Sequence, residues 1–154
     1  KYDEALPYMQ ESIQLILQNS QNSKALNDSA WYLADAGLPP AWFEKLADDC
    51  LAASRRSCEL TDYQVPMYLD TLARVHFERG ELDEAIKWQE AAVELAGGKQ
   101  GKGVTPEALD RYRAAQQKAK KQNDKKPDKK EDEKPESNET EAAGEPVGFP
   151  GNEP

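Results

Sequence analysis

The stretch "YLDTLARVHFERGELDEAIKWQEAAVEL", residues 68–95, decides how the rest of the chain is read. It divides at "ERGELDEA" into two helical segments, with Gly80 able to take the left-handed conformation that ends a helix. Asp83 and Glu84 open the second segment, where unpaired backbone amides and the helix dipole favour negative charge. Neither segment can hide its apolar face alone, so a hairpin of this kind needs neighbours.

Sliding the chain over itself finds them. "DEALPYMQESIQL" (3–15), "DDCLAASRRSCEL" (48–60) and "DEAIKWQEAAVEL" (83–95) align without gaps, their starts 45 and 35 residues apart. In each copy an acidic pair leads into a small residue (Ala5, Cys50, Ala85) and then an aliphatic one (Leu6, Leu51, Ile86). A second small residue follows seven further on (Ser12, Ser57, Ala92). The first copy also places Ala5, Leu6, Met9, Ile13 and Ile16 at three- and four-residue spacings, the period of one helical face.

A different segment precedes the later two copies. "ALNDSAWYLA" (25–34) aligns with "YLDTLARVHF" (68–77), sharing a leucine (Leu26, Leu69) and an alanine (Ala30, Ala73). The pattern is first helix, turn, second helix, repeated, with the earlier turn about eight residues longer. The added length falls in "DAGLPPAWFEK" (35–45), where Gly37, Pro39 and Pro40 stop one helix before the next begins.

This unit resembles the tetratricopeptide repeat family. Leu69, Leu72–Ala73, His76, Ala85, Gln89 and Gly97 occupy the family's Trp, Leu-Gly, Tyr, Ala, Phe and Pro positions, so the leucine and small positions match and the aromatic ones are softened. The earlier repeat departs further, with Ser29 at the leucine position and Cys50 at the alanine position. A longer-turned repeat before a compact one is similar to bacterial members of the family. The resemblance implies an all-α fold in which antiparallel helix-turn-helix repeats stack as a short right-handed solenoid. It covers residues 1–96: the second helix of a truncated repeat (1–17), a long-turn repeat (24–60) and a compact repeat (66–96). On this alignment the first helix of the opening hairpin is expected before Lys1.

The last repeat needs a cover, and "TPEALDRYRAAQQKAKK" supplies one after the flexible linker 97–104. Thr105 is the expected cap, Pro106 the first helical residue, and Ala108, Leu109, Tyr112 and Ala115 the apolar stripe of a closing helix over 105–121. Residues 122–154 are read as a disordered, solvated, low-complexity tail, since they lack the apolar residues that offset chain entropy of about 1–2 kcal/mol per residue. Within that region charge is segregated: 118–130 holds 7 Lys against 2 Asp, and 131–154 holds 8 acids against one Lys.

Charge and motifs then narrow the function. Residues 1–117 carry 12 basic and 19 acidic side chains, which argues against nucleic acid as a partner. No run approaches the ~18 apolar residues of a membrane span. His76 is the single histidine and is expected in the core, so histidine triads and histidine-rich metal sites lack support. Cys50 and Cys58, about 12 Å apart along one helix at ~1.5 Å per residue, read as small buried thiols; they suit a reducing compartment without fixing one. "GGKQGKG" (97–103) follows a helix and lacks the Lys-Ser/Thr ending of a phosphate loop. No catalytic residue, cofactor or metal is implied.

What the resemblance implies is a surface. The first helices of successive hairpins line a concave face where peptides bind, and carrying those positions over gives Lys24, Asn27, Trp31, Ala34 and Asp35, then Met67, Asp70, Arg74, Phe77 and Glu78. Trp31 and Phe77 are the expected anchors, with Lys24, Asn27, Asp70 and Arg74 around them. Asp70 and Arg74, four apart, are expected to pair with each other. The reading is a non-catalytic scaffold for a protein or peptide partner. Its alternative is an accessory repeat module of a larger catalytic protein, thioredoxin-like or kinase-like. A third reading is self-association through the uncovered N-terminal helix.

Overall fold

The computed structural model describes residues 4–98 and 103–123. The middle of the expected linker and the expected tail from 124 onward lie outside the described residues. Six helices follow in order: α1 (Ala5–Asn19), α2 (Ser23–Asp35), α3 (Pro40–Glu59), α4 (Pro66–Glu78), α5 (Leu82–Leu95) and α6 (Pro106–Asn123). Among the described residues there is no strand. The hairpins are α2–α3 and α4–α5; α1 packs on α2 and α3, α2 on α4, α3 on α4, and α6 on α5. That is a stack of antiparallel pairs with a closing helix.

Local chemistry explains where the helices begin and end. The side chain of Asn22 accepts from the amide of Ala25 at the start of α2. Prolines occupy the first helical position of α3, α4 and α6, where a missing N–H costs nothing. Gly80, at φ +77, turns α4 into α5. The α3–α4 turn works without glycine: Asp62 and Tyr63 both have positive φ, and the ring of Tyr63 stacks on Trp88 with centroids 5.5 Å apart. Thr105 stands immediately before α6, and its hydroxyl donates to Asp70 Oδ2 at 3.3 Å.

The small residues of the aligned copies sit where paired helices touch. Cys50, Ser57, Ala85 and Ala92 are fully buried, and Leu26 with Ala30 and Leu69 with Ala73 are buried on the facing helices. In α1 the matching Ala5 is only half-buried and Ser12 is exposed, since no described helix covers that side. Burial pushes the Cys50 and Cys58 thiols up to about 12 and about 11, which makes them packing groups.

His76 lies in the core, and its Nδ1 is 2.5 Å from Glu81 Oε2. Burial alone would raise the Glu81 carboxyl, yet hydrogen bonds from Arg79 and His76 outweigh it and hold the group below its ordinary range. Arg79 also donates to Asp48 Oδ1 at 2.6 Å, which ties the α4–α5 turn to α3 of the preceding repeat.

Candidate functional site

Stacking α2 beside α4 leaves a concavity of about 290 Å³ between them. Asn27, Asp28 and Trp31 line it from α2, Met67, Asp70 and Thr71 from α4, and residues 103–105 close one side. Gly103 lies against Met67 of α4 and, at φ +82, takes a backbone conformation that L side chains rarely adopt. Residues 103–105, at the junction of the expected linker and the closing helix, pack against α4.

Asp70 does the holding. Its Oδ1 accepts from Gln89 Nε2 and from the Thr105 amide, each at 2.7 Å, while Oδ2 accepts from the Thr105 hydroxyl. The expected Asp70–Arg74 pair does not form. Arg74 instead approaches Glu78 at 2.9 Å and Asp35 at 3.5 Å, so its charge joins α4 to the carboxyl end of α2. The reason is packing: Asp70 is 6% exposed and meets neutral donors from α5 and residue 105, while the mostly buried Arg74 guanidinium is taken by Glu78 and Asp35. Gln89 is fully buried and also donates to the Thr105 carbonyl, which explains how a polar residue occupies a position where the family has an aromatic one.

The remaining expected site residues separate. Lys24 is exposed and pairs with Asp28 at the rim. Asn27 is 3% exposed; its Nδ2 reaches Asp28 Oδ1 only at 3.5 Å, and its Oδ1 is buried without a hydrogen-bond partner. Trp31 stays partly buried on the cavity wall. Phe77 is engaged elsewhere, stacked on Tyr112 of α6 with centroids 4.4 Å apart and with the Arg111 guanidinium 5.1 Å from its ring. The geometry therefore brings Asn27, Trp31 and Asp70 together, puts Lys24 at their edge, and leaves Arg74 and Phe77 outside. Asp28, Thr71 and the 103–105 backbone were not anticipated; the glycine at 103 was the one signal that the chain passes close to another element.

Among the described residues no group of three or more His, Cys, Asp or Glu converges to hold a metal ion, and no helix is long and apolar enough to cross a membrane. The architecture defines a helical-repeat protein, with paired helices stacked side by side and a groove on one face. Residues 67–96, which contain α4 below its first residue and all of α5, match the model of the tetratricopeptide repeat family. Residues 67–96 are thus a repeat of tetratricopeptide type within an all-helical stack. Repeats of that family generally mediate protein–protein interaction. No curated protein and no solved structure matches the chain.

Proposed function

We propose that the chain is a non-catalytic scaffold that docks a protein segment in the groove between α2 and α4. The observation that carries this reading is Trp31, a large aromatic ring only partly buried beside an open cavity that its neighbours line with polar groups. Aromatic side chains in such positions dominate interface energetics, because they bury much apolar area with little loss of side-chain freedom. Asn27, Asp70 and Lys24 then serve as polar contacts around that anchor, and Phe77 serves the closing helix.

The test is a random-peptide display selection against the whole chain, followed by affinity measurements on the winning sequences. Trp31→Ala is expected to weaken binding by about thirtyfold or more, the effect of losing a central anchor worth ~2 kcal/mol, with helical circular dichroism unchanged. Selected peptides that bind Trp31→Ala as tightly as the parent would overturn the reading.

A further inference from the structure

One carboxylate of the cavity has no cation beside it among the described residues. Among the described residues two carboxylates, Asp28 and Asp70, line it, and no lysine, arginine or histidine does. Asp70 is buried, receives bonds from an amide, a backbone N–H and a hydroxyl, and has no cation at ion-pair distance among the described residues. Buried charges are ordinarily paired, since an uncompensated one retains a large desolvation cost. Beside it, Asn27 holds a buried carbonyl oxygen with no donor. Asp28 pairs with an exposed lysine on its own helix, a surface contact that contributes little.

Acceptors clustered under an aromatic wall define a complementary ligand. It must supply several N–H donors, carry positive charge and present a flat or compact face to an indole. A guanidinium meets all three conditions, with five donors in a plane that stacks on aromatic rings; an ammonium meets them with less area. An acidic segment meets none, because Asp28 and Asp70 would repel it. We infer that the α2–α4 groove selects a protein segment bearing an arginine, whose guanidinium lies against Trp31 and donates to the Asp28 carboxylate, above the buried Asn27 Oδ1 and the Asp70 carboxylate. This rests on the docking role proposed for the groove and specifies its partner. Arginine entry displaces Lys24 from Asp28, a loss that is small because that pair is exposed.

The experiment titrates the isotopically labelled whole chain with three blocked pentapeptides, Ac-Ala-Ala-Xaa-Ala-Ala-NH2, where Xaa is arginine, lysine or citrulline. Citrulline keeps the shape of arginine and replaces its charge with a neutral urea. The arginine peptide is expected to give saturable shifts centred on the Asn27 side-chain amide and the Trp31 indole N–H, with citrulline about tenfold weaker or more and lysine between them. Asn27→Leu and the exposed Asp28→Asn each lower arginine affinity, the second with a shallower dependence on salt. Equal binding of arginine and citrulline, shifts centred away from α2 and α4, or no saturable shift overturns the inference. Display-selected segments that need Trp31 but contain no arginine would leave the docking role standing and sink this inference alone. Arginine binding in the absence of any Trp31-dependent segment would do the reverse.

Discussion

Replacing Tyr112 by Ala should detach the closing helix while leaving the repeats folded. Tyr112 is 1% exposed and stacks on Phe77, and its ring packs with Ala73, Ala85 and Ala108. Removing a buried aromatic side chain costs about 3–5 kcal/mol. Against that loss, α6 retains the burial of Leu109 and Ala108 and the Arg113–Glu90 ion pair, both of whose side chains are about half exposed. A surface pair of that kind contributes ~0–1 kcal/mol. Because stacked repeats couple mainly to nearest neighbours, the deficit falls on the end of the stack and fades inward. Hydrogen exchange read by mass spectrometry is the assay: in Tyr112→Ala the amides of 106–123 should exchange near the rate of an unfolded chain, while those of α2–α4 keep their protection. Tyr112→Phe, which keeps the ring, should stay close to the parent. Undiminished protection of 106–123 in the alanine variant would refute the view that the Phe77–Tyr112 stack anchors α6.

The remaining predictions concern backbone, thiols and groove. Gly80→Ala places a β-carbon at φ +77 with no neighbouring atom to clash, so strain alone should destabilise the protein by ~1–2 kcal/mol, read from the urea midpoint at unchanged slope. Both thiols hold their protons more tightly when folded, so stability is fully present below their ordinary value of 9.0 and falls as pH rises toward about 11 and about 12. Alanine at both positions should flatten that alkaline slope, and an unchanged slope would assign it to other groups. Native Cys50 and Cys58 should also resist a thiol reagent at pH 8 and react fully in denaturant, whereas rapid labelling of the folded protein would contradict their burial.

Much of the fold could be read from residue spacing because the repeat imposes the same contact on different copies. Ala85 and Ala92 point to Cys50 and Ser57, and all four are fully buried against a partner helix. The same spacing aligns α1 with α3 and α5, but its Ser12 is exposed where Ser57 and Ala92 are buried. The site was less legible, since its chemistry comes from residues far apart in sequence. Asp70 and Arg74 look like a helix pair at four-residue spacing, yet Thr105, 35 residues on, supplies the donors that take the carboxylate. Phe77 looks like a free anchor until α6 brings Tyr112 to it. Asp62 and Tyr63 carry no glycine-like signal, and the Tyr63–Trp88 stack accompanies a turn that local propensity does not favour.

The measurement closest to the central claim is a chemical-shift map of the labelled whole chain bound to a display-selected peptide. The account predicts that the largest changes fall on Asn27, Trp31, Met67 and Thr71, and that they vanish in Trp31→Ala. Changes centred instead on Tyr63, Trp88 and Leu95, or on the exposed rings of Tyr8 and Tyr32, would place the interaction surface elsewhere and contradict it.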